Sequence, residues 1–255
     1  MKHKILLLAG KGDSSFFVMN WLEKQGHEWS AVLEDDISKK KFFKYRIKKL
    51  GIFPVIGQLL FLFSVKPLIC FLSKKRKADI IQSTGLESYT GAAKIVLDTN
   101  SINDEQVKNL IIDYKPSLIL VNGTRIISKK ILNATEVPFI NMHAGKTPAY
   151  RGVHGAYWAY YNKDAAHAGV TLHYVDKGVD TGKVIGQKEI EPTQKDNYCT
   201  YPLLQLAAGL DLLATFLDKS YEEMESMRQS IPSESAQWYH PTIWQYIAGR
   251  LRGVQ

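Results

Sequence analysis

The stretch from Asn141 to Asp180 concentrates side chains that can do acid–base chemistry among glycines and a proline. Its histidines do not show the regular spacing of three or more metal ligands, and no GxSxG turn is present, so neither a metal site nor a Ser-His-Asp hydrolase is indicated. An Asn amide and a protonatable His can hold a developing oxyanion, and an Asp can receive the proton of an attacking amine. The pattern favours acyl transfer without a covalent intermediate, and the candidates are Asn141, His143, Lys146, Arg151, His154, His173, Asp176 and Asp180.

The elements around these residues predict an open α/β sheet. The buried strand 137–141 runs directly into Asn141-Met-His143, and ligands of such sheets lie at the carboxyl ends of parallel strands. The opening 4–33 is typical of a βαβ unit, and its Gly10/Gly12 turn lacks the third glycine of a dinucleotide site. Further predicted strands are 95–97, 117–121, 170–175 and 183–189, and further predicted helices are 104–114, 126–132 and 201–218.

Composition sets the broad class of the protein. The chain has 255 residues, 45% of them hydrophobic and 23% charged, which suits one α/β domain with a small appendage. Its two cysteines, Cys70 and Cys199, are far apart and match no metal-ligand spacing. We therefore expect neither a disulfide framework nor structural zinc, and we expect a reducing cytoplasm as the compartment.

The net charge of +8 is local rather than general. Residues 37–77 hold 12 of the 33 Lys and Arg and no Asp or Glu, so the rest of the chain is slightly acidic. Within that segment Gly51 to Leu72 carries only Lys66 as a charge, although Pro54, Gln58 and Pro67 interrupt it. Three interpretations stay open: helices that cover the core, an interfacial element that meets anionic lipid, and a transmembrane span.

A family resemblance rests on three motifs. Phe139-Ile-Asn-Met-His143, Pro148-Ala-Tyr-Arg-Gly152 and Gly169-Val-Thr-Leu-His173 with Asp180-Thr-Gly182 resemble the folate-dependent formyltransferases. That family includes glycinamide ribonucleotide, methionyl-tRNA and sugar N-formyltransferases. The resemblance implies a Rossmann-like, mostly parallel open sheet with helices on both faces. It spans roughly residues 4 to 216 and is most specific from 141 to 185.

The resemblance also implies roles for individual residues. Asn141, His143 and Asp180 correspond to the family's catalytic set: His143 polarises the formyl oxygen, Asn141 positions the formyl group, and Asp180 helps to deprotonate the amine. The implied donor is N10-formyltetrahydrofolate, with no metal. Its binding residues are predicted from the loop 123–128 and the segment 175–180, and are Gly123, Arg125, Ile126, Ile127, Val175, Gly178 and Val179. His173 is either part of the site or a packed, hydrogen-bonded core residue.

The chain departs from the family pattern just after the histidine. Gly145 stands where Ser is usual, and Lys146-Thr147 replaces an apolar pair. We therefore expect Lys146 and Arg151 to bind an anionic part of the acceptor, such as a phosphate. The full set of predicted acceptor residues is Gly12, Asp13, Lys146, Thr147, Tyr150 and Arg151.

Length and extensions favour one acceptor class. We expect a catalytic domain over 1–219 with a helical insertion at 37–77, and an extension over 220–255 that contacts the acceptor, a second copy or the core. The extension is too short for the β-barrel of methionyl-tRNA enzymes, and compact glycinamide ribonucleotide enzymes lack the insertion. The best match is a cytoplasmic sugar N-formyltransferase for a nucleotide-linked amino sugar of surface polysaccharide. It could contact the inner face of an anionic membrane through 37–77 or form a homodimer.

Other functions remain as alternatives. One is a glycinamide ribonucleotide formyltransferase, and another is a catalytically silent formyltransferase-like domain that the insertion recruits to a membrane. A nucleic-acid binder would use Lys39 to Lys49, but that segment lacks a recognisable nucleic-acid-binding fold, so we expect no nucleic-acid partner.

Overall fold

A computed structural model describes residues 2–36, 39–219, 223, 226 and 234–254. Residues 37–38 of the predicted insertion, and 220–222, 224–225, 227–233 and 255 of the predicted extension, lie outside the described residues. The strands of the main sheet are β1 Lys4–Gly10, β2 Glu28–Glu34, β3 Ile95–Thr99, β4 Leu118–Asn122, β5 Phe139–His143, β7 Gly169–Tyr174 and β8 Val184–Glu189. The helices that flank it are α1 Asp13–Gln25, α6 Glu105–Tyr114, α7 Lys129–Leu132, α8 Gly155–Tyr161 and α9 Tyr201–Leu217.

The sheet has seven strands in the order β3-β2-β1-β4-β5-β7-β8. The pairs from β3 to β5 are parallel, whereas β7 pairs antiparallel with both β5 and β8. Alternate residues of β1 enter two different cores: Ile5 and Leu7 pack with α1 and α9, and Leu6 and Leu8 pack with α6 and α7. The predicted mostly parallel α/β sheet with helices on both faces is confirmed.

The insertion folds as helices that continue beyond its predicted end at 77. They are α2 Lys39–Leu50, α3 Ile52–Leu60, α4 Lys66–Leu72 and α5 Lys74–Thr84. A π-helical stretch, Phe61–Val65, joins α3 to α4, so Ile52–Leu72 is one continuous helix of 21 residues. Among the described residues it is the helix whose length and composition would allow it to cross a membrane.

Three contacts fasten the insertion to the loop before α9. The Arg76 guanidinium donates to both carboxylate oxygens of Asp196 at 2.8 and 2.7 Å, and the Asp196 side chain is fully buried. The amide of Asn197 donates to Ser73 Oγ at 2.9 Å. Cys70 and Cys199 form a disulfide with their Cα atoms 5.4 Å apart. The expectation of two unpaired cysteines therefore differs from the structure, because folding brings α4 against residues that lie 129 positions later in the sequence.

The C-terminal extension packs onto the core. Its short strand β9, Gln237–Trp238, pairs in parallel with β6, Arg151–Gly152, and its last helix is α10, Ile243–Leu251. The Trp238 ring stacks on the rings of Tyr150 and Trp158, with centroids 5.8 and 4.8 Å apart. Trp238 also donates its indole N–H to the carbonyl of Ala149. The extension is thus joined to the loop that follows β5.

Candidate active site

Asn141 and His143 lie at the carboxyl end of β5, the strand where the sheet changes from parallel to antiparallel pairing. Because side chains two residues apart on a strand share a face, both project to the same side of the sheet. His143 is buried, and Asn141 is half-buried. The end of this strand therefore presents an amide and an imidazole side by side.

Asp180 reaches these two residues from the loop between β7 and β8. Its backbone has a left-handed φ of 52°, which an Asp tolerates better than most residues. One carboxylate oxygen lies 3.4 Å from His143 Nδ1 and accepts the N–H of Gly152 at 3.0 Å. The other accepts from Asn141 Nδ2 at 3.4 Å. The three predicted catalytic residues, which span 39 positions of the sequence, thus meet in one place.

His173 orients Asn141 from the neighbouring strand. In the antiparallel register it lies directly opposite Asn141, and its side chain is almost fully buried. Because the carbonyl of Tyr174 can only accept, His173 Nδ1 donates to it at 2.8 Å. His173 Nε2 is then the acceptor for the Asn141 amide at 3.1 Å. Of the two interpretations left open by the sequence, His173 combines both: it is a packed, hydrogen-bonded residue that also fixes a site residue.

The loop after β5 closes around His143. His143 Nε2 donates to the carbonyl of Tyr150 at 2.9 Å, which leaves Nδ1 without a proton in the neutral ring and facing Asp180. A Cβ at position 145 would lie 2.2 Å from that carbonyl oxygen and 2.9 Å from His143 Nε2. Gly145, the departure from the family pattern, is therefore what allows the Tyr150 carbonyl to reach the imidazole.

The two ionisable groups of the site have pKa values that suit a proton acceptor. Burial lowers the pKa of His143, and the charge of Asp180 only partly offsets this effect. Burial raises the pKa of Asp180, but His143, His173 and the Gly152 N–H outweigh it and hold that pKa below its usual value. At neutral pH the site therefore holds an unprotonated imidazole nitrogen and a carboxylate, both able to take a proton.

The three residues line a cleft of about 810 Å³. The structure brings all of the predicted donor-binding residues to its wall: Gly123, Arg125, Ile126, Ile127, Val175, Gly178 and Val179. The Arg125 guanidinium is held by protein partners, since it pairs with the buried Glu34 and donates to the carbonyls of Asp35 and Asn100. Glu34, which sequence reasoning missed, also accepts the backbone N–H of Arg125 and so holds this loop at the end of β2.

The predicted acceptor residues lie elsewhere, and none of the six is on the wall of the cleft. Lys146 pairs with Glu189 at 3.0 Å and donates to the carbonyl of Ala166 at 2.8 Å. The Tyr150 hydroxyl donates to Asp164 at 2.8 Å. Both side chains are therefore bound to protein groups outside the cleft. These partners lie 14 to 43 positions later in the sequence, so the residues next to Lys146 and Tyr150 did not reveal them.

The remaining four predicted acceptor residues lie in the loop after β5 or at the start of α1. Thr147 is buried and donates its N–H to Thr171. Arg151 donates to the carbonyl of Val179 at 2.9 Å and to Ser235, so it braces the Asp180 loop. Gly12 and Asp13 begin α1 beside the cleft, where the next residue, Ser14, is on the wall.

The site residues predicted from the sequence include none from one side of the cleft. It is built from Tyr45 and Arg46 of α2 and from Gln237, Trp238 and Tyr239 of the extension. The Arg46 guanidinium lies 4.7 Å above the Tyr239 ring, and Lys49 donates to Gln237 at 2.9 Å. The aromatic run at 238–239 was a signal, but its partners are about 190 positions earlier in the chain. Within the described residues, no group of three or more His, Cys, Asp or Glu is arranged to hold a metal ion.

Comparisons with known proteins point to one family. The family model described as formyl transferase matches residues 40–202. The methionyl-tRNA formyltransferase of Halothermothrix orenii is 34% identical over 124 residues, which cover 48% of this chain and 39% of that protein. The chain spans about two fifths of the length of the curated relatives it matches most strongly.

Solved structures share the fold. A sugar N-formyltransferase from Shewanella sp superposes with a TM-score of 0.52 and 18% identity, covering 91% of this chain and 75% of that one. A phosphoribosylglycinamide formyltransferase from Streptococcus pneumoniae superposes with a TM-score of 0.51 and 20% identity, covering 84% and 96%. At these identities the likeness establishes the fold, and the acceptor must be argued from the site.

Proposed function

This chain belongs to the formyl transferase family, and from that premise we propose that it moves a formyl group from N10-formyltetrahydrofolate to the amine of an amino sugar. The observation that carries the proposal is the meeting of Asn141, His143 and Asp180, with contacts of 3.4 Å, at the wall of a cleft. An amide donor, an imidazole and a carboxylate are the groups that amine formylation requires.

The folate donor fits the side of the cleft built by the loops after β4 and β7. Gly123 and Gly178 both line this side, where they have no side chain to keep a pterin away from the backbone. Ile126 keeps 55% of its surface exposed on this wall, although it is a large apolar residue. A flat heteroaromatic ring would cover that surface, which supports the assignment of this side to the donor.

The transfer step follows from the tautomers of the site. The acceptor nitrogen forms a bond to the formyl carbon, and the carbonyl oxygen takes up negative charge. Asn141 Nδ2 can turn to that oxygen because its 3.4 Å contact with Asp180 is long and easily exchanged. The proton of the amine passes to His143 Nδ1 or Asp180, and the bond from carbon to N10 then breaks as N10 is protonated. The proton that N10 gains is the one that His143 or Asp180 took from the amine.

The acceptor belongs on the side built by α2 and the extension. The Tyr45 ring, 57% exposed on this wall, suits the face of a sugar or a base, and the positive charge of Arg46 favours a phosphate in the cleft. This wall replaces Lys146 and Arg151 as the anion-binding part of the site. It supports a nucleotide-linked amino sugar, for which surface polysaccharide is the proposed destination.

A transfer assay over several acceptors tests the proposal. Purified protein and N10-formyltetrahydrofolate are incubated separately with nucleotide-linked amino sugars, glycinamide ribonucleotide and methionyl-tRNA. We expect tetrahydrofolate release and the mass gain of one carbonyl group on an amino sugar, lost in Asn141→Ala and His143→Ala. Transfer only to glycinamide ribonucleotide or only to methionyl-tRNA would contradict the acceptor, and transfer to none would favour a catalytically silent domain.

A further inference from the structure

The helix Ile52–Leu72 turns an apolar stripe toward solvent. Its mean hydropathy reaches 2.1, yet only 22% of its most apolar window is buried. Phe53 is 81% exposed and Phe63 is 75% exposed. The exposed residues recur at the spacing of one helix face, and they are Ile52, Phe53, Ile56, Leu60, Phe63, Leu68, Phe71 and Leu72.

The last helix extends this stripe into a broader surface. Trp244, Ile247 and Leu251 lie at positions i, i+3 and i+7 of α10 and are all exposed. A Cβ built on Gly57 would lie only 3.1 Å from Trp244 Nε1, so α10 packs directly against Ile52–Leu72. We call the exposed residues of both helices the apolar face. A contiguous exposed patch of this kind marks an interaction site.

The other side of the helix is held by protein. Phe61 is fully buried, and its ring lies 5.0 Å from that of Tyr198 and 5.1 Å from that of Tyr246. Gln58, also buried, accepts from Arg46 at 3.3 Å. A helix that crossed a bilayer would have to leave these contacts. The packing therefore favours a helix that lies along the protein surface with one face outward.

Positive charge surrounds the apolar face. Lys44 and Lys48 precede the helix, Lys74 and Lys75 follow it, and all four are exposed. Arg250 and Arg252 are exposed at the end of α10. Since residues 37–77 contain no acidic residue, nothing in that segment offsets these charges. An apolar centre with a basic rim is complementary to the headgroup boundary of an anionic bilayer.

We propose that the apolar face docks on a bilayer that contains anionic phospholipid, with the helix Ile52–Leu72 lying in the plane of the interface. Docking would hold the acceptor side of the cleft beside the membrane, because α2 carries Tyr45 and Arg46 and ends two residues before this helix. The proposal does not depend on the proposed function, since vesicle binding is measured without turnover.

Vesicle flotation of the whole protein tests the apolar centre. We expect binding to vesicles of equal parts phosphatidylcholine and phosphatidylglycerol. Phe53→Glu with Phe63→Glu should weaken this binding at least about 10-fold, because two side chains lose their burial in the interface. The matched control is Val96→Glu with Ile112→Glu, two exposed apolar residues outside the face, which should bind like the wild type. Equal binding by both double variants would overturn the proposal.

The basic rim has its own control. Lys48→Gln with Lys75→Gln should weaken binding to the same vesicles roughly 10-fold and reduce its dependence on salt. Lys115→Gln with Lys129→Gln removes the same charge from exposed positions elsewhere and should leave binding unchanged. An equal loss in both variants would show a general charge effect and contradict a docking rim.

Two further measurements separate the other occupants of the face. If wild-type protein fails to float but is a dimer by light scattering, and Phe53→Glu with Phe63→Glu makes it a monomer, the face belongs to a second copy and the proposal fails. If membrane-bound protein resists extraction with alkaline carbonate, the helix spans the bilayer and the in-plane geometry is wrong. We expect carbonate to release it.

Discussion

The cleft buries polar side chains, whereas the apolar face exposes apolar ones. Both regions therefore depart from the usual arrangement of a protein, in which polar side chains are exposed and apolar side chains are buried. In the cleft, His143, His173 and Asp180 are polar and largely buried, and each has hydrogen-bond partners supplied by the protein itself. On the apolar face, Phe53 and Phe63 are apolar and largely exposed. These three buried polar side chains are thus satisfied within the protein, whereas the burial of the exposed apolar side chains requires something outside the chain.

The largest change is expected in the turnover number when Asp180 of the cleft is replaced. Asp180→Asn keeps the shape of the side chain but removes the charge and the proton acceptor beside His143. We expect the turnover number to fall about 10³-fold, or about 4 kcal/mol of transition-state stabilisation. Steady-state rates with saturating donor and acceptor measure it.

Asp176 provides the control in the same loop. Its carboxylate lines the same cleft but accepts from the Gly178 N–H and from the Thr181 hydroxyl, so it shapes the turn. Asp176→Asn keeps an acceptor oxygen and should change the turnover number less than about 10-fold. Equal losses in the two variants would mean that loop shape, rather than the Asp180 charge, sets the rate.

A pair of phenylalanines two residues apart sharpens the comparison. Phe61 is fully buried and Phe63 is exposed on the same helix. Phe61→Ala should lower the free energy of unfolding by about 3–4 kcal/mol through the cavity it leaves. Phe63→Ala should change it by less than about 0.5 kcal/mol, since that ring already lies in solvent. Denaturant unfolding of both variants measures the difference, and a similar cost for both would show that Phe63 is covered by protein.

The ion pair that fastens the insertion gives a somewhat smaller effect. Arg76→Ala leaves the Asp196 carboxylate buried without its cation and should cost about 3 kcal/mol of unfolding free energy. Arg76→Lys keeps the charge but loses the two-pronged geometry, so it should cost less. Thermal and denaturant unfolding separate these variants. An Arg76→Ala variant with unchanged stability would contradict a stabilising role for this ion pair.

The smallest expected effect is on proton binding. Because burial lowers the pKa of His143, its imidazole should titrate below the ordinary value of 6.5. Asp180 raises that pKa, so Asp180→Asn should move the midpoint further down. NMR titration of the His143 ring measures both midpoints. A midpoint at or above 6.5, or an upward move in the variant, would contradict the assigned electrostatics.

The sequence predicts local features of this protein better than distant ones. The strand leading into Asn141 and His143, and the family motif that adds Asp180, are sufficient to predict the sheet and the meeting of these residues. The loop 123–128 and the segment 175–180 follow from the family resemblance. The surroundings of Lys146 could not be predicted, because Glu189, 43 positions later, pairs with it across the fold.

The acceptor wall shows why the rest could not be predicted. Arg46 lies in the insertion and Tyr239 in the extension, and their contact depends on how these two parts of the chain pack together. The apolar stretch after Gly51 was visible in the sequence. Periodicity alone could not tell a buried helix from one with an exposed face, since the answer depends on which neighbours cover it.

A labelled carbon tests most directly whether the protein transfers a formyl group to an amino sugar. Donor folate carrying ¹³C in its formyl group is mixed with the protein and a nucleotide-linked amino sugar, and the new formamide carbon is detected by NMR. We predict a ¹³C formamide on the sugar nitrogen with the wild-type protein and no formamide with a folded His143→Ala variant. A folded wild-type protein that binds the labelled donor but forms no formamide on any amino sugar would contradict it.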